Sequence, residues 1–161
     1  MLWCSSARRL HQIPTVPLSI GSNDVIPVST VRDLGIYIDS DISMRSHVAK
    51  TVSSCFAALR QIRSIKRSIS RPVLQSLVVS LVLTRLDYGS GTLAGIPGRL
   101  MGRLQSVLNA AARLVFSAWK YDHITPLLRE LHWLSYPERI TYRLAVLAFR
   151  CQHSLAPSYR S

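Results

Sequence analysis

SMRSHVAKTVSSCFAALRQIRSIKR, residues 43 to 67, is the stretch whose reading decides the fold class. Met44, Val48, Val52, Cys55, Leu59 and Ile62 recur there at steps of three and four, the apolar stripe of an amphipathic helix. The spacing predicts one helix from Ser43 to about Arg67. At about 100° per residue, Arg45, Arg60, Arg63 and Arg67 fall within an arc of roughly 60° that borders the stripe. A row of guanidiniums beside a packed face suits a helix that lies along a phosphate backbone while docked on its own domain.

Downstream the same period continues. Ser70, with Pro72 in the following turn, opens a second helix that is apolar almost all round from Val73 to Leu86 and is closed by Gly89 and Gly91. Its most apolar part, Val73 to Leu83, contains Gln75, Ser76 and Ser80 and is far shorter than the ~20 residues needed to span a bilayer, so it is expected as a buried, central helix. A third helix begins near Pro97 and Gly98. It places Leu100, Leu104, Val107, Leu108, Ala111, Leu114, Val115 and Ala118 on one side and Arg99, Arg103 and Arg113 within about 80° on another. Thr125 and Pro126 mark a short fourth helix through Leu131. Ser135 with Glu138 is a capping box for a fifth, running to about His153 before Pro157, Ser158 and Tyr159.

Upstream the pattern changes. Pro14, Pro17, Gly21, Pro27 and Gly35 punctuate short β-branched runs, which favours small strands. Leu18 to Ile20 and Val25 to Val28 flank Gly21, Ser22, Asn23 and Asp24, a hairpin signal, and Leu34 to Ile38 is a third strand ending at Asp39, Ser40 and Asp41. The expected fold is mainly α: a basic bundle of about five helices, residues 43–161, after a small N-terminal β-hairpin element, residues 1–42.

Composition agrees with one folded domain. The 161 residues are 48% hydrophobic and 17% charged, which argues against disorder. Twenty Lys and Arg against eight Asp and Glu leave +12, and the excess is central: residues 41–120 hold twelve cations and two anions. Seventeen of the twenty cations are Arg, the side chain suited to bidentate phosphate contact and base stacking, so a polyanionic partner is expected over a merely solvated face. Cys4, Cys55 and Cys151 show no CxxC or Cys/His spacing, which speaks against a zinc module or a disulfide framework and for a reducing compartment. Arg8, Arg9, His11 and Gln12 interrupt any signal-peptide core.

Several blocks in one order carry a resemblance: VRDLGIYIDSDISMRSHV (31–48), CFAALRQIRSI (55–65), LVLTRLDYG (81–89), LQSVLNAAARLV (104–115), YDHITPLLRELHWL (121–134) and LAPSY (155–159). Together they resemble the C-terminal part of the RNA-directed DNA polymerase, or reverse transcriptase, of LINE-like non-LTR retrotransposons, a class of transposable element. The resemblance implies that Leu34 and Gly35, inside the strand ending at Asp39, form a primer-grip-like hairpin. It implies that the helices from Met44 onward are a thumb domain and the segment after it, holding an RNA/DNA template-primer. Location in nucleus and cytoplasm follows by the same analogy. The family's catalytic palm, with its adjacent aspartates, would lie before residue 1, and no Asp-Asp dipeptide occurs here. Two-metal phosphoryl transfer needs converging carboxylates, so no polymerase activity and no cofactor are expected of this fragment, and Mg²⁺ would belong to the missing palm. No catalytic or metal residue is assigned.

Expected nucleic-acid-binding residues are Arg45, Arg60, Arg63, Arg67, Arg99, Arg103 and Arg113. Asp39 and Asp41 are read as turn and helix-dipole residues over a metal pair. Asp87 and Tyr88, at a helix end, lack the companion acids of a catalytic aspartate. His47, His123 and His132 are too dispersed for a metal triad and are read as cap or core residues. Trp119, Tyr121, Trp133 and Tyr136 are read as core packing ahead of base stacking. Competing readings keep the fold but make the chain a protein-interaction fragment that docks on the missing palm or on another protein, or a mobile-element remnant without function.

Overall fold

Two antiparallel hairpins precede the helices in the computed structural model, which describes residues 1–5, 7–153 and 155 and is mainly helical. The ends of the expected terminal segment, Pro157, Ser158 and Tyr159, lie outside the described residues. The chain divides into two compact units, Met1–Lys50 and Thr51–Ser161, with the division inside the first long helix.

In the first unit, β1 (Leu18–Ile20) pairs with β2 (Asn23–Val25), Leu18 opposite Val25. The turn is tighter than the four residues expected. Gly21, at φ +63°, takes the left-handed conformation that a two-residue turn requires, so Asn23 and Asp24 enter the strand, where the Asp24 carboxylate accepts from Ser19 Oγ. A 3₁₀ segment, Ala7–Gln12, precedes this hairpin.

β3 (Thr30–Asp33) and β4 (Ile36–Asp39) form the second hairpin, Thr30 opposite Asp39. The expected strand through Leu34 and Gly35 is corrected: both residues form its turn, at φ +43° and +83°. A type I′ turn, whose twist matches the flanking strands, needs positive φ at both positions. Gly35 adopts it freely, while Leu34 does so at a cost of about 1–2 kcal/mol.

Asp39 then ties this hairpin to the next element. Its buried carboxylate accepts from Thr30 Oγ1 (3.0 Å), Ser43 Oγ (3.4 Å) and the backbone N–H of Ser46 (3.0 Å) in the first turn of α1 (Arg45–Ile65). Burial pushes its pKa up, but these hydrogen bonds prevail and hold it below the ordinary value. Asp41 accepts from Ser43 N–H at 3.0 Å, an Asx turn. His47 is buried, accepts from Tyr37 N–H through Nδ1 at 3.5 Å, and is held less basic than usual by burial, against the pull of Asp39.

In the second unit the chain continues through α1, a 3₁₀ turn at Lys66–Ser68, α2 (Arg71–Val78), a π-helical segment (Val79–Leu83) and α3 (Thr84–Asp87). Leu74, Val78, Val82 and Leu86, spaced strictly by four, are all buried. An α-helix turns such a series by about 40° per step, so the stripe would drift off the core by Leu86. The wider π turn takes up the excess and keeps one face inward. Val73, Val79 and Leu81 are correspondingly exposed, at 49%, 39% and 40%, which corrects the expectation of a fully buried central helix.

The central element is α4 (Gly98–Phe116), packed against α2, α5 (Ile124–Glu130) and α6 (Tyr136–Gln152). It buries Leu100, Leu104, Val107, Leu108, Ala111, Ala112 and Val115. The large side chains contribute about 1.5–3 kcal/mol each, and the alanines permit close approach of neighbours. Helix α6 starts at the expected capping box, Ser135 N–H donating to Glu138 Oε2 at 2.8 Å. Its Tyr136, wholly buried, donates its hydroxyl to the Leu86 carbonyl at 3.0 Å, and burial pushes its pKa up.

Candidate nucleic-acid interface

Phe56, Leu59, Arg60, Arg63 and Lys66 follow one another at helical spacing along α1 and its 3₁₀ extension, and all line an open groove of about 590 Å³. The opposite wall comes from α4: Ala110, Arg113, Leu114 and then Ser117 and Ala118. Trp119 and Lys120 complete the rim. The floor is apolar, from Phe56, Leu59, Ala110 and Leu114, and five cations surround it: Arg60, Arg63, Lys66, Arg113 and Lys120. No carboxylate among the described residues lines the groove. Among the described residues the salt bridges are Arg71–Glu130 and Arg139–Asp87, so none of the five is neutralised by a partner acid.

The rim is held in place by the way α4 ends. Ser117 stands at φ +57°, and the Ala118 N–H returns to the Arg113 carbonyl at 3.0 Å, closing a Schellman-type cap. Trp119 N–H donates to Asp122 Oδ2 at 2.7 Å, while the Asp122 carbonyl accepts from Arg113 Nη2 at 3.3 Å. Arg113 is thereby oriented, with its buried Nε left without an acceptor. The indole of Trp119 remains 80% exposed. Cations at the ends of α1 and α4 also face the negative poles of those helices, an interaction worth about 0.3–1 kcal/mol each that steadies them without discharging them.

Of the seven arginines expected to bind nucleic acid, Arg60, Arg63 and Arg113 meet at this groove. Arg67 is exposed on the 3₁₀ turn after α1, outside the lining. Arg99 and Arg103 are exposed on the first half of α4; ten residues separate Arg103 from Arg113, about 15 Å along the axis. The expected second ridge is therefore split, because a wheel projection records angle and discards height. Arg45 begins α1 in the first unit, and Leu34 and Gly35 form the β3–β4 turn of that same unit.

Lys66, Lys120 and Trp119 are groove residues that the helical pattern did not single out. Trp119 and Lys120 lie beyond the end of α4, where periodicity has nothing to say, whereas Lys66 continues the helical spacing of Arg63 into the 3₁₀ turn. Among the aromatics, Tyr136 is core, Trp133 is half-buried, and Trp119 and Tyr121 are exposed. His123 stands at the N-cap position of α5, and His132, at φ +56°, follows that helix.

Elsewhere several arginines are paired. Arg139 grips Asp87 with Nε at 2.8 Å and with Nη2, and Arg143 Nη1 donates to the Asp87 carbonyl at 3.3 Å. These residues border a second opening whose lining, unlike that of the groove, includes a carboxylate, Asp87. Arg85 donates to Ser54 Oγ at 3.0 Å, and Arg71 pairs with Glu130 at 2.8 Å and lies over the Phe116 ring. No helix among the described residues is long and apolar enough to cross a membrane. Neither the known protein families, nor the curated proteins, nor the solved structures include one that matches this chain.

Proposed function

We propose that this chain is a thumb-like fragment of a LINE-like non-LTR retrotransposon reverse transcriptase, binding template-primer nucleic acid without reading its sequence, with the Mg²⁺-holding palm supplied by a separate segment. The observation that carries the binding reading is the groove between α1 and α4, where five cations converge from three stretches of chain and, among the described residues, none has a partner acid and no carboxylate lines the walls. Such clusters draw phosphates by counterion release, without base recognition. The ordered sequence blocks supply the family part of the reading.

The test is fluorescence anisotropy of a labelled RNA/DNA primer-template titrated with the purified chain across salt concentrations. Affinity should fall linearly on logarithmic axes. R60E/R63E should weaken binding about 10- to 100-fold at low salt and flatten the slope by about 2, roughly one for each phosphate no longer neutralised. An unchanged affinity and slope would remove these arginines from the binding surface.

A further inference from the structure

A duplex offers a protein its phosphates along a smooth backbone, and a purely electrostatic site for it needs only cations. The groove holds more than that. Its floor is apolar, from Phe56, Leu59, Ala110 and Leu114, and its rim carries an indole that the fold leaves 80% exposed. Neither feature gains anything from a phosphate. Both suit the face of an unpaired base, because stacking on an exposed aromatic beside a cationic track is how single strands are held irrespective of sequence.

On these grounds we infer that the groove takes one unpaired nucleotide of a single strand, its base against Trp119 and the apolar floor and its flanking phosphates on Arg60, Arg63, Lys66, Arg113 and Lys120. This rests on the nucleic-acid reading above and narrows it. The volume, about 590 Å³, lies within the ~300–1,000 Å³ typical of sites that enclose a small organic group. The platform is preorganised. The Trp119 backbone N–H is held by the Asp122 carboxylate, the Asp122 carbonyl is held by Arg113, and the left-handed Ser117 sets the direction in which the chain leaves α4. Binding would therefore not have to order the loop that presents the indole.

The experiment uses the full chain with W3F and W133F, leaving Trp119 as its one indole. A single-stranded homopyrimidine oligonucleotide and a blunt duplex of equal length are titrated by anisotropy and by tryptophan emission together. The single strand should quench Trp119, and the blunt duplex should bind with little quenching. Trp119→Ala should weaken single-strand binding about 5- to 140-fold, the range for loss of one stacked base. Its salt slope and duplex affinity should stay unchanged. Trp119→Phe, which keeps an aromatic face, should recover most of the loss. Equal quenching by the duplex, or single-strand affinity indifferent to Trp119→Ala while both ligands bind, would overturn the single-strand assignment and leave the wider reading standing. Binding of neither ligand by the folded chain would overturn both.

Discussion

Two sides of the helical unit treat arginine in opposite ways. Where α3 meets α6, Arg139 turns inward onto the Asp87 carboxylate, their side chains 18% and 22% exposed, the exposed Arg143 donates to the Asp87 carbonyl, and Tyr136 and Cys55 are wholly buried. Between α1 and α4, Arg60, Arg63 and their neighbours stand around an open groove with no acid in its lining. The guanidinium is the same, and what differs is whether the fold brings a carboxylate within reach. A net positive charge is thus no guide to which arginines are available to a ligand, since the internal partners are taken first.

The sharpest way to break this contrast is Asp87→Ala. It strands the Arg139 guanidinium without a counter-charge in a mostly buried site, and unfolding in urea should show a loss of about 3 kcal/mol. Primer-template affinity of the fraction that remains folded should hold within about twofold. If stability were unchanged, the closed side would be no more committed than the open one.

A somewhat smaller effect comes from alkali. Burial pushes the Cys55 thiol up from 9.0 to about 11, with the Arg85 charge pulling the other way, and Tyr136 is raised for the same leading reason. An acid with a raised folded pKa supports the fold below its unfolded pKa and loses that contribution as pH rises. The helical unit should therefore weaken from about pH 9 toward about 11. Cys55 alone accounts for about 2–3 kcal/mol at 1.36 kcal/mol per pKa unit. Urea midpoints at pH 8, 9.5 and 11 would show it, and Cys55→Val should flatten the fall between pH 9 and 10.

The smallest effect compares how the two sides end their helices. On the closed side α3 is followed by Gly89 at φ +66°, a conformation glycine adopts freely, whereas α4 ends on Ser117 at φ +57°. Ser117→Gly should stabilise the chain by about 0.5–1 kcal/mol, read from thermal or urea midpoints, with the duplex salt slope unmoved. A loss of stability would mean that the serine cap is supported by interactions beyond its backbone.

How much of this was legible follows from what each signal encodes. The stripe from Met44 to Ile62, the Pro97–Gly98 start of α4 and the Ser135–Glu138 box report local spacing and capping, and these elements lie where the residues indicate. The β3–β4 turn was missed because a leucine at positive φ leaves no compositional trace; only Gly35 hinted at it. The site was half legible. Periodicity named Arg60, Arg63 and Arg113 but could not separate them from Arg99 and Arg103, since height along a helix and the identity of the facing wall are tertiary facts. Trp119 and Lys120 sit past the end of α4, where the adjacent aromatic and cation are the signal that could have found them, and Lys66 could have been found from its helical spacing to Arg63.

The π turn at Val79–Leu83 bears on how this chain tolerates change. A helix whose inward residues come at every fourth place behaves like a gear with its own phase adjustment, and the adjustment is made before Asp87 is presented to Arg139, 52 residues further on. The tally of residues from Leu74 to Asp87 then constrains the fold more tightly than the identity of any exposed one among them. Side chains such as Val79 and Leu81 are free to be exchanged, whereas a single deletion would swing the acid out of mesh with its arginine.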